Sequence, residues 1–450
     1  HDALPIWKYG TLSKNIQIMT ENFIQKSKNL LLDFLYAPGG FSFFPSPVFW
    51  SKTTDNINIE NILNKLDTSG HLDIWVSQNK VTLYVHIPFC DKICNYCNCF
   101  KKKLTQSEQI DIYLKYLEKE AELYFKALWK KIKVSSIFIW WGTPNLLNLS
   151  QFEYLYSIIT KYYDLSDLEW FILDGHPNYY NEDKLRYFAK IGVSRITLAA
   201  QSFDDEVLKW ANRDNYNINE IHKIIQSAKK YKIATNIDLL IWLQWQNISL
   251  IKKDFDIIDQ LWPDNVSVHF LMLSDNMKYT LAPDYHQLIW ETKKLLQNRK
   301  LPHYASNITE NHYASSRNTT LSLWAESVSS LYQEIIFQKP NLNQYYKDLD
   351  KNIFPIWFSK VLNKKDEMRK YIFLNILYWV SITDFYQLFH EDIYNVFWKE
   401  IKFLFLKNIT ILKDNIIIPN KSDLEVLLHA NILFLKELSD YRYIDSDRKN

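Results

Sequence analysis

The sequence predicts an α/β fold: a partial parallel (β/α)6 barrel with an N-terminal extension and a mainly helical C-terminal domain. Three observations lead there. Six short β-rich apolar runs alternate with amphipathic stretches between about residues 81 and 271. Beyond about residue 340 the pattern turns helical. All four cysteines follow directly on the first run, between 90 and 99, and the active groups of such a barrel belong at the C-terminal ends of its strands. A doubly wound open sheet has the same local pattern and stands as the alternative.

Residues 1–75 read as an extension and lead-in, polar and helix-compatible at first, then Pro-rich over 38–50, with a short helix at 56–66. Residues 76–335 hold the core. In its first strand Val81, Leu83 and Val85 alternate with Thr82, Tyr84 and His86, and Pro88 ends the ladder. The later strands are expected at 135–140, 168–174, 194–200, 234–241 and 265–271. The stretches 107–132 and 217–231 between them carry apolar residues at i, i+3, i+4 spacing, which is helical. Residues 336–450 form the C-terminal domain, with helices at 366–380 and 424–438 and a hairpin at 409–419.

Composition narrows the class. A chain of 450 residues can bury a substantial core. Its net charge of +2 calls for neither nucleic acid nor a membrane surface. The greasiest segment, Tyr371 to Ile382, is interrupted by Asn375 and too short to span a bilayer, so it reads as a buried helix. The start of the chain lacks the basic-then-apolar pattern of a signal peptide. A soluble, cytoplasmic monomer is expected. Glycine is scarce: 7 residues, where ordinary usage gives roughly thirty, beside 16 tryptophans.

Cys90, Cys94 and Cys97 lie at C-x3-C-x2-C spacing, with Cys99 two further on. Three thiolates on one loop can hold three irons of a cubane cluster, leaving the fourth iron open to a substrate or cofactor. A structural zinc site is the plainer alternative, but zinc sites usually pair two C-x2-C hooks or add histidines at set spacing. Four cysteines inside ten positions do not resemble a secreted disulfide scaffold, and they point to a reducing compartment.

The stretch YVHIPFC with C-x3-C-x2-C-x-C resembles the cluster loop of radical S-adenosylmethionine (SAM) enzymes, and among them the oxygen-independent coproporphyrinogen III oxidases. The resemblance runs from roughly Leu30 to the last turns of the chain. It implies a [4Fe–4S] cluster on Cys90, Cys94 and Cys97, with Cys99 as the family's extra, non-ligating cysteine. It also implies two SAM molecules, one of them chelated by the open iron and cleaved to a 5′-deoxyadenosyl radical. In the family the counterpart of Tyr84 contacts the first SAM, and an aromatic at Tyr96 packs on the second. Asp174 stands for a glutamate that binds the first. Gln201, Arg213 and Asp238 match contacts to the second, and Met272 and Val328 match two further contacts made through backbone or packing.

Trp140-Trp141-Gly142-Thr143-Pro144 stands where the family has GGGTP. The family's glycine-rich turn lets the backbone approach the methionine moiety. Gly142 and Thr143 match, whereas Trp141 and Trp140 fill the space a cofactor needs. Trp140, Trp141, Trp242 and Trp324 all align with family glycines, and a UGA codon read as glycine but translated as tryptophan produces that pattern. Other departures fall on the substrate side, at Ser322, over 315–320 and near 303–307.

The resemblance implies oxidative decarboxylation of two propionates of coproporphyrinogen III, giving protoporphyrinogen IX in haem biosynthesis. The partners are then the porphyrinogen and a reducing electron donor, with no nucleic acid and no membrane span. A haem-binding chaperone without enzymatic activity, and a related radical enzyme on another substrate, are the alternatives.

Overall fold

The structure is a computed structural model describing residues 81–97, 99–271, 291–292, 294–295, 319–323, 328–331, 334–339, 341–361, 363–376 and 379–421. The lead-in over 1–75, Met272, Trp324 and the helix expected at 424–438 lie outside these residues.

The first strand, β1 (Val81–Ile87), is buried along its whole length. A strand covered on both faces is the mark of a parallel sheet flanked by helices. After it come β2 (Ser136–Gly142), β3 (Trp170–Gly175), β4 (Arg195–Gln201), β5 (Ala234–Ile241) and β6 (Asn265–Phe270). These six lie side by side in chain order, every neighbouring pair parallel, with helices in the crossovers. This is the expected β/α run. A seventh parallel strand, β7 (Thr319–Leu323), joins the other edge of β1, and β8 (Val328–Leu331), β9 (Glu334–Gln338) and β10 (Ile356–Val361) extend the sheet antiparallel. The ten-stranded order is β6-β5-β4-β3-β2-β1-β7-β8-β9-β10, an open sheet among the described residues.

Helix α1 (Glu108–Leu128) follows the cysteine loop, and its buried Ile110, Tyr113, Leu114, Leu117, Ala121, Tyr124 and Leu128 repeat at helical spacing. Acidic Glu108 and Asp111 sit in its first turn and Lys126 in its last, each on the favourable end of the helix dipole. Glu120, on the inner face, is fully buried. Its carboxylate accepts from Tyr345 Oη at 2.6 Å and from the Gln338 amide. That network ties α1 to β9 and to α2 (Leu342–Asp350), fastening the antiparallel extension to the parallel part of the sheet.

Three described helices end on a left-handed cap, one at His390 and two at tryptophans. The C-caps of α1, Trp129, and of α3 (Ile248–Leu261), Trp262, adopt left-handed φ of 53° and 51°. A side chain there costs about 1–2 kcal/mol, because Cβ crowds the following carbonyl.

The hairpin expected at 409–419 forms from β12 (Thr410–Lys413) and β13 (Ile416–Pro419), paired by the two-residue β11 (Val380–Ser381). The helix expected over 366–380 is shorter: α4 spans Lys364–Asn375. Val380 and Ser381 leave the helical path to pair with Ile417 and Ile416, and Asn375 closes the last turn by donating to the Tyr371 carbonyl at 2.7 Å. The reading of Tyr371 to Ile382 as a single buried helix is corrected accordingly. This helical unit, with α5 (Ile382–Phe389) and α6 (Ile393–Leu406), has its own core around Tyr371, Phe385, Phe389 and Phe397. The division at residue 336 remains a proposal; the main sheet itself runs on to Val361. No described helix is long and apolar enough to cross a membrane.

Candidate functional site

The C-terminal ends of β1 to β6 surround a cavity of 240 Å³. The loop after β1 forms one wall and is held at both ends. His86 sits fully buried, its Nε2 3.0 Å from the Phe100 carbonyl and its Nδ1 3.1 Å from Tyr84 Oη. A carbonyl only accepts, so Nε2 carries the proton and Nδ1 accepts from the tyrosine. Burial lowers the His86 pKa to about 3, which keeps the ring neutral. Lys102 N–H donates to the Pro88 carbonyl and Leu104 N–H to the Cys90 carbonyl, both at 2.7 Å. The far side of the loop is stapled to the segment after β4: Asn95 N–H donates to the Ala211 carbonyl at 3.1 Å and Asn212 Nδ2 to the Ile93 carbonyl at 2.8 Å.

Cys90, Cys94, Cys97 and Cys99 all face this cavity as free thiols. Their environments differ. Burial pushes the Cys90 thiol up to about 12, against a hydrogen bond from Thr143. The Cys97 thiol is pulled down to about 6, first by a hydrogen bond from Cys99 and then by the charge of Lys101. Cys99, sharing that bond and buried, is held well above its ordinary value and so stays protonated as the donor. Arg213 reaches over the loop, its Nη1 3.3 Å from Cys94 Sγ and 3.2 Å from Tyr96 Oη. Its Nε donates to Tyr216 Oη at 3.0 Å, and Nη2 donates to the Ala199 carbonyl.

The donor set suits iron and sulfur. Soft thiolates on one loop, a guanidinium beside one of them and a depressed thiol pKa all favour a thiolate-ligated cluster. Among the described residues no three His, Cys, Asp or Glu side chains gather as a single metal ion requires. A cubane asks for something different, since each thiolate takes its own iron.

The opposite wall carries carboxylates. Asp174 ends β3, nearly buried, and accepts from Gly175 N–H at 2.9 Å. Burial, then the nearby Asp238, push its pKa well above the usual carboxylate range. Asp238 on β5 accepts from Asn236 Nδ2 at 2.6 Å and lies 3.8 Å from His269 Nε2 on β6. Gln201 ends β4 at a left-handed φ of 73°, where the β4–β5 register shifts. Backbone held off the ordinary regions recurs at functional sites.

Trp141, Gly142 and Thr143 enter the cavity from the end of β2. Here the β1–β2 register slips, His86 opposing Trp140 and Ile87 opposing Gly142, so Trp141 is the extra residue of a bulge. Gly142 at φ 58° is irreplaceable: a Cβ there falls 1.9 Å from the Ile87 carbonyl oxygen. Trp140 and Trp141 also line the cavity. A pocket for one drug-sized ligand usually measures roughly 300–1,000 Å³, so 240 Å³ leaves a cluster and a nucleotide-sized cofactor crowded. The thiols fit the cluster, and Trp140 and Trp141 narrow the space beside it.

The structure therefore gathers Cys90, Cys94, Cys97, Tyr96, Trp141, Gly142 and Thr143 around one cavity, together with Asp174, Gln201, Arg213 and Asp238. Tyr84 is not in the lining; its ring lies behind Trp141, edge to face at 6.3 Å. Val328 is placed on β8, and Met272 falls outside the described residues. His176, His269 and Lys101 line the cavity as well and escaped sequence reasoning. Their available signal was position near a strand end or the cysteine loop, which lone His and Lys residues share with many structural ones.

Comparison with known proteins places this site in context. Residues 84–248 match the model of the Radical SAM superfamily. The heme chaperone HemW of Lactococcus lactis is 30% identical over 200 residues, covering 44% of this chain and 51% of that protein. The oxygen-independent coproporphyrinogen III oxidase of Synechocystis is 28% identical over 190 residues, 42% of this chain and 40% of that one. The chain thus spans about half the length of the curated relatives it matches. In fold it is similar to the coproporphyrinogen III oxidase HemN of Escherichia coli, with a TM-score of 0.74 over 88% of this chain and 97% of that one at 19% identity.

Proposed function

We propose, from the radical SAM domain that this chain carries across residues 84–248, that it oxidatively decarboxylates two propionates of coproporphyrinogen III without oxygen. The observation carrying this reading is the convergence on one cavity of the three cysteines with Asp174, Gln201, Arg213 and Asp238. Cys90, Cys94 and Cys97 are assigned to a [4Fe–4S] cluster, and Asp174 with the carboxylate of Asp238 to the cationic and hydroxyl groups of two SAM molecules. When bound, cluster and SAM supply one-electron chemistry: reductive opening of a sulfonium and removal of a hydrogen atom from the substrate.

The chain's own groups prepare that chemistry. His86 and the backbone bonds around Pro88 and Cys90 fix where the thiols point. Arg213 places a hydrogen-bond donor and a positive charge against Cys94 Sγ. A reducing electron donor, a cytoplasmic location and a monomeric state belong to the same proposal.

A second reading has its own support. Relatives named as haem chaperones match as well as the oxidases do, and the indoles narrow the cofactor cavity. The experiment is anaerobic: reconstitute the cluster, reduce with dithionite, add SAM and coproporphyrinogen III, and assay 5′-deoxyadenosine and porphyrin. Both products are expected. Deoxyadenosine alone moves the assignment to another substrate. A formed cluster with neither product, together with stoichiometric haem binding, replaces the oxidase by the chaperone.

A further inference from the structure

We infer that Trp129, Trp141, Trp242, Trp245 and Trp262 occupy glycine positions, and that the natural protein carries glycine there because the corresponding codons are read as glycine. The inference stands on backbone conformation and is independent of the reaction proposed above.

Eleven tryptophans fall among the described residues, and these five have left-handed φ of 53°, 59°, 83°, 70° and 51° in chain order. For a non-glycine residue such angles occur in only about a few per cent of cases. Asparagine, with four of the other left-handed positions here, reaches them by hydrogen bonding its own backbone. Tryptophan has no such compensation.

Each position is also a structural slot that glycine fills for a known reason. Trp129 and Trp262 are left-handed helix C-caps, where glycine is the usual residue. Trp141 is the extra residue of the β1–β2 bulge, next to the sterically obligatory Gly142. Trp245 is the third residue of a turn closed by Gln246 N–H donating to the Leu243 carbonyl at 3.1 Å. A positive φ at that place asks for glycine. Trp242 opens the same connection at the end of β5.

At three of the five positions packing does not explain the indole either, whereas Trp242 is buried in a small apolar cluster and Trp141 packs against the main core. Trp129 is 84% exposed, Trp245 64% and Trp262 55%. By contrast Trp170 and Trp357 sit in strands and Trp398 in a helix, at ordinary φ, and carry no such signature. The deficit of glycine and the surplus of tryptophan in the whole chain, 7 against 16, run in the direction the inference requires. Trp141 and Trp242 are, in addition, two of the four positions where the family resemblance places glycine.

The consequence for function is local to the cavity. Glycine at 141 removes the ring that stands edge-on to Tyr84 and His86, 6.3 and 6.0 Å away, and opens the end of β2 toward the cysteine loop.

The deciding measurement is peptide mass spectrometry of the protein purified from its natural source, over the segments holding these five positions. Glycine is expected at all five; tryptophan there overturns the inference. The gene provides a second reading: UGA is expected at each of the five codons, and UGG overturns it. A third uses recombinant protein, comparing the chain as written with the double variant Trp129→Gly/Trp262→Gly, both sites lying at helix ends outside the cavity lining. A melting midpoint higher by several degrees is expected, and an unchanged or lower midpoint overturns the claim that these backbones suit glycine.

Discussion

Arg213 and Cys94 meet inside the cavity wall, Nη1 standing 3.3 Å from Sγ, although 119 residues separate them in the chain. The same nitrogen touches Tyr96 Oη, so one guanidinium links the cysteine loop to the segment after β4. Replacing it with methionine keeps much of the volume and removes every donor. Arg213→Met is expected to weaken cluster retention roughly 10–100-fold, the range for outer-shell partners of metal ligands. Iron and sulfide content after anaerobic reconstitution and desalting is the readout; full retention rules out a holding role for Arg213.

The four cysteines should separate into two kinds. Cys90→Ala, Cys94→Ala and Cys97→Ala are each expected to abolish the visible absorbance of a reconstituted cluster. Cys99→Ala is expected to keep it, because the Cys99 thiol stays protonated and donates to Cys97. Loss of the cluster in Cys99→Ala alone would reassign the ligand set.

The carboxylate wall offers a binding test that does not need turnover. Asp238 is nearly buried and fixed by Asn236, so Asp238→Ala removes a preoriented anion. SAM affinity, measured by calorimetry on the cluster-loaded protein, is expected to fall by about tenfold or more, since a charged hydrogen bond contributes about 1.5–3 kcal/mol. Unchanged affinity would remove Asp238 from the cofactor site.

His86 makes the fold acid-sensitive. Its pKa falls from an ordinary 6.5 to about 3 in the folded chain, so the unfolded state binds more protons between those values. Stability is therefore full above about pH 6.5 and lost as pH falls toward 3, by an amount on the order of 4 kcal/mol. In His86→Gln the amide can still donate to the Phe100 carbonyl but does not titrate. Denaturant unfolding from pH 7 to pH 4 should show a shallower loss in this variant; parallel curves would show that His86 does not carry the effect.

Glu120 tests what holds the antiparallel strands to the parallel part of the sheet. Glu120→Ala leaves Tyr345 and Gln338 short of a buried acceptor and opens a cavity. A loss of about 2–4 kcal/mol is expected in urea unfolding. A loss within 0.5 kcal/mol, the range of about ±0.5 kcal/mol usual for surface changes, would show the network to be dispensable.

Much of this was legible in the chain itself. The six parallel strands appear within a residue or two of their apolar runs, because strands covered on both faces are rich in apolar residues, even though polar ones such as Thr82, His86 and Asp238 are buried with them. The cysteine spacing, the turn residues after each strand and the hairpin at 409–419 are likewise local patterns. The helix expected over 366–380 ran too long because its last residues pair with a strand more than thirty positions away, and no local periodicity carries that pairing.

The sequence by itself determined the succession of strands and helices along the chain, the place of the cysteines and the scarcity of glycine, all of which rest on composition and on neighbours in the chain. Only the tertiary structure decided that β7 to β10 extend the sheet beyond β1, that Tyr84 lies behind Trp141, and that His176 and His269 join the cavity. It alone put five tryptophans in left-handed backbone. The physical reason is the same in each case. A side chain's identity is written locally, whereas what it faces, and the φ it must accept, are set by chain segments that meet only after folding.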